Sequence, residues 1–395
     1  MARFLGPEKY GIYIYAIALA ELVMLFWSQG LKEVVIQKIK EQGLENTDTS
    51  VAAYQLMALG NTFLYGILIA VVFYFEMSDT VKLLSIICGI GIWFRSFEAF
   101  ELWFHSSLKI RVTVKIQLFS QALYMTANVL LIIYESNLIW FGVTYAFQLI
   151  VSGVGFLFVF MKNMKFQIFK PLGSIQRSLL RLGLFMIVAK LLLTSSFLID
   201  RFFIEQMLGI EWVGTYSASM KMVVTWSFIS TAICYSFIPL LTENKGKKEF
   251  RENTLKMFGI CISISFLLII VFSIFAKTLV IFVFGEAYLN SVAVFKILVY
   301  SMPFLFINEG IKAWLIIMKR TKYYVISMLL TTLLCIILNI FLIEMIGITG
   351  AAIAFVISWG TGGLLIFFFI KETREMAIII SKSVLYPIQL LNKKT

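Results

Sequence analysis

The nine residues Leu5-Gly-Pro-Glu-Lys-Tyr-Gly-Ile-Tyr13 return later in the chain as Leu208-Gly-Ile-Glu-Trp-Val-Gly-Thr-Tyr216. Leu, Gly, Glu, Gly and Tyr match at one constant spacing, so that position 5 pairs with 208 and position 11 with 214. Both copies stand at the start of a long apolar stretch. Such a repeat indicates that a whole lobe of the molecule was duplicated, which is the usual organisation of helical transporters.

The composition is that of a membrane protein. Hydrophobic residues make up 60% of the 395 positions and charged residues 14%, whereas a soluble domain carries roughly a quarter charged residues. Apolar stretches of about 20 residues, the length that crosses a bilayer as a helix, recur from end to end of the chain. We therefore predict an all-α polytopic membrane protein with no soluble domain between its helices.

Hydropathy and periodicity predict eleven membrane-spanning segments. They are residues 9–31, 54–75, 81–104, 113–134, 137–161, 179–201, 212–240, 255–276, 290–318, 322–343 and 346–370. Residues 371–395 alternate apolar runs with lysines. We predict that they form a cytoplasmic or interfacial tail rather than a twelfth span.

Lysine and arginine are distributed unequally between alternate loops. Of the 34 such residues, the loops on one side hold five: Arg3, Lys9, Lys82, Arg201 and Lys277. Most of the others fall in loops on the opposite side. Because positive charge accumulates in cytoplasmic loops, we predict a cytoplasmic C-terminus and an outer position for the start of the chain. The same rule accounts for the net charge of +12, so nucleic acid is not expected as a partner.

The repeat also predicts how the lobes are arranged. Six predicted spans separate Gly11 from Gly214, so the two lobes have the same orientation in the membrane. The predicted divisions are an N-terminal lobe at 1–165, a C-terminal lobe at 166–370 and the tail at 371–395. Moving the span 179–201 back by the repeat spacing places its counterpart before residue 1. We therefore expect the first helix of the first lobe to be absent from this chain, either encoded by an upstream extension of the reading frame or lost by truncation.

The repeated stretch has a local physical logic. Pro7 suits the first turn of a helix, and Glu8 and Glu211 complement the positive end of the helix dipole. Gly11 and Gly214 lack side chains and let a neighbouring helix approach closely. We expect a structural role for this corner in preference to contact with a substrate.

Four stretches of the chain are informative when they are taken together. They are residues 2–11, 200–203 leading into 209–218, 284–288, and Asn339 followed by 347–352. In this order they resemble the Wzx-type polysaccharide flippases, which form one superfamily with the MATE exporters and the MurJ-type lipid flippases. The chain departs from that pattern in its absent first helix.

The resemblance implies both a fold and a function. The fold is two parallel six-helix lobes around a central cavity. Wzx-type proteins move an undecaprenyl-pyrophosphate-linked oligosaccharide from the cytoplasmic to the outer leaflet of the bacterial plasma membrane, for assembly of O-antigen, capsule or exopolysaccharide. The implied partners are that lipid-linked oligosaccharide, membrane lipids, and the polysaccharide polymerase and chain-length machinery. No cofactor is expected, apart from a proton or sodium ion that could couple transport.

Charged residues inside the predicted spans are the candidates for the mechanism, because a charge in the bilayer core is costly unless it is paired or faces water. Arg95, Lys190, Lys221 and Glu21 lie near the middle of their spans, and Lys312 lies closer to the cytoplasmic end. The four cations are predicted to bind substrate, since Lys and Arg are good partners for a diphosphate. Lys190 and Lys221 are the sharper candidates because neither has an acidic residue three or four positions away. For both, an interhelical pair or a carbonyl contact is the alternative.

Two of the charged clusters permit a second interpretation. Arg95 and Glu98 are three residues apart, as are Glu309 and Lys312, so an ion pair on one helix face is as consistent as a substrate site. Glu309, Glu21 and Glu98 are the candidate residues for ion coupling. Buried carboxylates suit this role because they can take up a proton near neutral pH.

Two other classes of membrane protein have to be distinguished from a flippase. A MATE-like ion-coupled exporter of small cationic compounds is the alternative, but its cavity calls for unpaired carboxylates, whereas this chain places lysines at mid-depth. A membrane enzyme is not expected. The three aspartates (Asp48, Asp79, Asp200) are scattered, and His105 is the single histidine, so neither a metal-binding motif nor a Ser/His/Asp arrangement is predicted.

Overall fold

The computed structural model describes residues 1–43, 47–75, 77–107, 109–164, 167 and 172–385. Within these ranges eleven helices are long and apolar enough to cross a membrane, one for each predicted span. They are α1 (Ala2–Gln42), α2 (Asp48–Tyr74), α3 (Asp79–Ser106), α4 (Ile110–Ile133), α5 (Leu138–Asn163), α6 (Gly173–Leu208), α7 (Ile210–Glu243), α8 (Lys248–Phe284), α9 (Ser291–Ile317), α10 (Thr321–Ile346) and α11 (Ile348–Phe369). The predicted all-α polytopic fold is confirmed.

Three helices are much longer than the segments that hydropathy predicted. α1, α6 and α8 continue for several turns beyond 9–31, 179–201 and 255–276. In α1 the added residues are good helix formers such as Lys, Glu, Gln and Ile, which carry the helix on until Gly43 ends it with a φ of 87°. Polar residues that hydropathy had assigned to loops therefore lie on helices.

The chain divides into two compact units. Unit 1 contains residues 12–198 together with Met1 and residues 3–5, and unit 2 contains Ala2, residues 6–11 and the chain from Ile199 onward. The division falls within α6. The lobe limits predicted from the repeat, 1–165 and 166–370, concern the duplicated sequence rather than packing, and they stay predictions.

The core of unit 1 includes a group of stacked aromatic rings. The ring of Tyr54 on α2 lies 5.1 Å from that of Phe97 and 5.3 Å from that of Phe100, both on α3. Phe100 in turn packs on Phe160 of α5, with ring centroids 4.8 Å apart. Stacked and offset aromatic pairs stabilise the fold beyond the contribution of the apolar area that they bury. They hold the middle of α3 against α2 and α5.

In unit 2 the repeated stretch packs against its own copy. A Cβ atom on Gly11 would meet the carbonyl oxygen of Ile210 and lie 3.0 Å from the backbone nitrogen of Gly214. A Cβ on Gly214 would meet the carbonyl oxygen of Pro7. Backbone thus lies directly against backbone, which only glycine permits at both positions. The close approach predicted for Gly11 and Gly214 is confirmed.

The first glycine of each copy has a second role. Gly6 has a φ of 73° and Gly209 a φ of 98°, values that glycine adopts without steric cost, so the chain makes the same turn in both copies. Tyr288, from one of the four informative stretches, also reaches the corner. Its hydroxyl donates to the carbonyl oxygen of Ala2 at 3.1 Å, and its ring lies 6.3 Å from that of Tyr10.

Beyond α11 the chain forms a short amphipathic helix, α12 (Arg374–Ser383). Met376 and Ile380 are buried, and the hydroxyl of Ser383 donates to the carbonyl oxygen of Leu255 on α8 at 3.2 Å. The interfacial position predicted for the tail stays a prediction. Its last part, residues 386–395, lies outside the described residues.

Replacing Gly214 with alanine is expected to destabilise the protein by about 1–3 kcal/mol, the usual cost of overpacking. The added methyl group overlaps backbone atoms of Pro7 and Gly11, which cannot move aside as a side chain can. The measurement is the midpoint of thermal unfolding of the purified protein in detergent. Gly66→Ala on α2 is the matched control, since nothing lies within 4 Å of its added Cβ. Equal midpoints for the two variants would contradict the close contact.

Candidate functional site

Glu98 on α3 stands at the centre of a charged network in unit 1. Its side chain is only 9% exposed. Arg95 Nε donates to one carboxylate oxygen at 2.6 Å, and Lys32 Nζ of α1 lies 2.8 Å from the other. Gln29 Nε2 donates to that second oxygen at 3.2 Å. Two cations therefore compensate one buried carboxylate, and they tie α1 to α3.

The backbone of α3 explains the contact between Arg95 and Glu98. The helix tightens into a 3-10 turn over Arg95–Phe97, and in such a turn side chains three residues apart lie one above the other. The sequence had left open whether this cluster is an ion pair or a substrate site. In the structure the two side chains form an ion pair.

Glu101 continues the charged network one turn further along α3. It is buried, and one of its oxygens accepts from Gln117 Nε2 of α4 at 2.7 Å. Lys32 Nζ lies 4.0 Å from its other oxygen, and His105 Nε2 lies 3.5 Å from the first. The network, defined here as Lys32, Arg95, Glu98 and Glu101, thus connects α1 to α3, and Gln117 attaches α4 to it. Within unit 1 it brings two acids and two bases into one polar region of helices that are otherwise apolar.

The first predicted span ends at residue 31, which places Lys32 in a loop, and the structure corrects this. Lys32 lies on α1, ten residues before the helix ends at Gln42. The sequence contains a pattern that predicts a helical position for Lys32. Spacings of seven and four residues separate Glu21, Ser28 and Lys32, and residues at these spacings lie on one face of a helix.

The other predicted mid-depth residues lie in both units. Glu21, near the middle of α1, accepts a hydrogen bond from the Tyr145 hydroxyl at 3.2 Å. Lys190, at the middle of α6 in unit 1, is half-buried and interacts with neighbouring groups. Lys221 on α7 in unit 2 is exposed. Their roles in substrate binding and coupling stay predictions.

Unit 2 contains the second predicted cluster, on α9. Lys312 Nζ lies 2.7 Å from a carboxylate oxygen of Glu309, and their side chains are 29% and 24% exposed. As in unit 1, residues three apart on a helix form an ion pair. One residue before Glu309, the side-chain amide of Asn308 donates to the Tyr324 hydroxyl of α10 at 3.3 Å.

Asp200 on α6 is a buried carboxylate that the candidate residues did not include. The Tyr216 hydroxyl of α7 donates to one oxygen at 2.5 Å. Asn339 Nδ2 and Cys335 Sγ of α10 donate to the other at 2.7 and 2.9 Å. Three neutral donors from two helices therefore surround one fully buried acid.

The predicted end of the span explains why Asp200 is not among the candidate residues. A span that ends at residue 201 places Asp200 at the membrane surface, whereas α6 continues to Leu208. A second signal was present, because Asp200 and Asn339 both lie in the stretches that carry the family resemblance.

One face of α4 is polar along most of its length, which the sequence reasoning also missed. Between residues 113 and 128 this face consists of Thr113, Gln117, Ser120, Gln121, Tyr124 and Asn128. At about 100° per residue these six fall in an arc of about 100° that contains no apolar residue. The remaining positions of this part of α4 are mostly apolar, so an average over the helix hides the pattern. Because lipid offers no hydrogen bonds, this polar face has to lie against protein or water.

Comparison with known proteins identifies the family. The chain matches the model of the family described as polysaccharide biosynthesis protein over residues 1–245. The chain belongs to this family. A second model, MatE, matches residues 186–341. The resemblance inferred from the sequence stretches is thereby confirmed.

Relatives of known name and structure agree with this assignment. A Shigella flexneri protein with the name "Putative O-antigen transporter" is 24% identical over an alignment of 336 positions that covers 77% of this chain and 76% of that protein. Among solved structures, the lipid II flippase MurJ in an inward closed conformation superposes with a TM-score of 0.74 at 15% identity, covering 99% of this chain and 91% of MurJ. An inward-facing multidrug resistance MATE family transporter gives 0.66 at 14% identity, with 97% and 92% covered. At such identities the structures establish the fold alone.

Glu98→Gln is expected to destabilise the protein by about 3 kcal/mol, because it leaves Arg95 and Lys32 without the charge that compensates them. The readout is the thermal midpoint in detergent. Glu41→Gln is the matched control, since Glu41 forms an exposed pair with Lys38 at 3.2 Å and such pairs contribute little. If both variants unfold at the wild-type temperature, the charged network does not stabilise unit 1.

Asp200→Ala is expected to lower the same thermal midpoint, since the Tyr216 hydroxyl and the Asn339 amide lose their acceptor. Each buried donor left unsatisfied costs roughly 1–3 kcal/mol. Asp200→Asn keeps an acceptor oxygen and should lose less, and Asp79→Ala at the exposed start of α3 should change little. Identical decreases of the thermal midpoint for the Ala and Asn variants would show that the hydrogen bonds to Asp200 do not stabilise the protein.

Proposed function

We propose that this protein transports a lipid-linked oligosaccharide, with undecaprenyl pyrophosphate as the carrier, from the cytoplasmic to the outer leaflet of a bacterial plasma membrane. The observation that carries the proposal is membership of the polysaccharide biosynthesis family, from a match over residues 1–245. The name of the Shigella flexneri relative supports a surface glycan as cargo. Alternating access is the transport mechanism that we propose.

The cations on spanning helices suit the charged part of such a cargo. A diphosphate crossing the membrane needs its charge compensated, and a water-filled region with positive potential can do this without covalent chemistry. Lys190 and Lys221 are the proposed substrate-binding residues near the middle of helices. Arg95 and Lys312 are paired with carboxylates, so they would bind substrate by exchanging that partner for the diphosphate.

A proton or a sodium ion is the proposed coupling ion. The candidate carboxylates differ in the groups that bind them. This difference indicates which of them is best suited to bind the coupling ion. Glu98 and Glu309 are already bound by cations, whereas Glu21 accepts from a tyrosine hydroxyl and Asp200 from three neutral donors. A carboxylate bonded to neutral donors has more to gain from a proton or a cation, so we favour Glu21 and add Asp200 to the candidates.

The proposal extends to orientation and partners. We propose that the C-terminus lies in the cytoplasm, as the distribution of Lys and Arg predicts. A transporter that delivers glycan units to the outer leaflet acts just before polymerisation, so the polysaccharide polymerase and chain-length machinery are the proposed protein partners. We propose no enzymatic activity.

A MATE-like exporter of small molecules is the second candidate. The MatE model match over residues 186–341 favours it. The two candidates differ in what a cell loses with the protein, since a flippase affects surface polysaccharide and an exporter affects resistance to toxic compounds.

Lys190→Ala and Lys221→Ala are each expected to abolish surface polysaccharide in a strain whose own polysaccharide flippase has been deleted, with the protein still inserted in the membrane. The loss follows from removing a positive charge that compensates the diphosphate. The measurements are polysaccharide on gels and protein in isolated membranes. The control is Lys296→Ala, an exposed lysine near the start of α9, which should leave the polymer unchanged.

Lys190→Arg and Lys221→Arg should retain much of the polymer because they keep the charge. Normal polymer in both alanine variants would exclude these lysines as substrate ligands. Wild-type protein that restores drug resistance but no polymer would favour the exporter.

A further inference from the structure

A cavity between α4 and α5 of unit 1 is lined by neutral polar side chains rather than by charged ones. Its volume is about 370 Å³, within the range of small-molecule sites. Five of its lining side chains are neutral and polar: Gln117, Ser120, Gln121, Gln148 and Ser152. Two aliphatic side chains complete the wall.

Two hydrogen bonds fix the orientation of these amides. Gln148 Nε2 donates to Gln121 Oε1 at 2.6 Å, and Gln117 Nε2 donates to Glu101 at 2.7 Å. Each glutamine amide offers two N–H donors and an oxygen with two lone pairs, and one bond uses only one of these positions. The cavity can therefore supply donors and acceptors side by side.

The cavity lies at the middle of two spanning helices, and this position indicates whether it contains lipid or water. Gln121 lies at the middle of α4 (Ile110–Ile133), and Gln148 and Ser152 lie near the middle of α5 (Leu138–Asn163). Lipid at this depth would leave the remaining donors and acceptors of the amides without partners, at a cost of several kcal/mol for each unsatisfied group. The cavity is thus suited to water and to a ligand that forms many hydrogen bonds.

A neutral set of paired donors and acceptors with an aliphatic wall matches a sugar ring. The hydroxyl groups of a sugar both donate and accept, and its C–H faces pack on aliphatic side chains. A diphosphate or an organic cation would instead need opposite charge. We propose that this cavity binds a sugar residue of the transported glycan, an inference that rests on the proposed function and identifies where in unit 1 the cargo is recognised.

The position of the cavity relative to the charged network strengthens the proposal. Gln117 lines the cavity and bonds to Glu101, and Glu101 lies 4.0 Å from Lys32. Cationic groups and the amide-lined cavity are therefore neighbours. A sugar pyrophosphate has the same sequence of groups, with charge followed directly by hydroxyls.

The proposal is tested with two lipid probes that differ by one sugar: undecaprenyl pyrophosphate, and the same lipid carrying N-acetylglucosamine. The wild-type protein in detergent should bind the sugar-bearing probe more tightly. The double variant Gln121→Leu/Gln148→Leu should weaken that binding roughly five- to tenfold, the equivalent of lost neutral hydrogen bonds, and leave binding of the bare lipid unchanged.

The matched control is Gln55→Leu/Gln176→Leu. This second amide pair of unit 1, with Gln176 Nε2 donating to Gln55 Oε1 at 2.7 Å, lies outside the cavity and should affect neither probe. Equal loss for both probes, or no loss, in the Gln121/Gln148 variant would overturn the cavity assignment and leave the proposed function standing. A wild-type protein that binds neither probe would contradict the proposed function and the sugar site with it.

A second measurement is independent of transport. Gln148→Cys should react with a charged, membrane-impermeant thiol reagent, because the cavity is predicted to contain water. The wild-type protein is the control, since its four cysteines are buried, and it should stay unmodified. A Gln148→Cys protein that is inserted and unmodified would show that the cavity faces lipid, which would overturn the proposal.

Discussion

The hydrocarbon interior of a bilayer contains no water, so a polar group on a spanning helix needs a partner within the protein or in a water-filled cavity. Glu98 meets this constraint with Arg95 on its own helix and Lys32 on another. Asp200 meets it with neutral donors from α7 and α10. In both units these polar contacts determine which helices are bound together and in what rotation about their axes.

A second kind of contact needs no side chains. Gly11 and Gly214 bring the backbones of α1 and α7 together in unit 2, as small residues do between helices in membranes. The first glycines of the two copies, Gly6 and Gly209, turn the chain so that this approach is possible. The two copies thus share a backbone geometry, although three of the four residues between their glycines differ.

The chemistry of unit 1 changes along α4. Gln117 joins the charged network through Glu101, and one turn further Gln121 pairs with Gln148 beside a cavity lined by amides and hydroxyls. A ligand with a charged end and a hydroxylated body corresponds to this order of groups. This order of groups supports the proposal that the cargo is a lipid-linked glycan, which rests on membership of the polysaccharide biosynthesis family.

Hydropathy alone was enough for the fold class and for the number of spans, since an apolar stretch of about 20 residues has few alternatives to a membrane helix. The repeat likewise predicted a close helix approach at Gly11 and Gly214, but not that the two copies are each other's neighbours. Helix ends were less predictable, because α1 and α6 continue through polar residues. The sequence therefore placed Lys32 in a loop and Asp200 at the end of a span, whereas both lie within helices. Their partners Glu98 and Asn339 are distant in sequence. Pairs between residues that are distant in sequence form only when helices pack. In an apolar medium a polar side chain bonds to the polar group that the packing brings near.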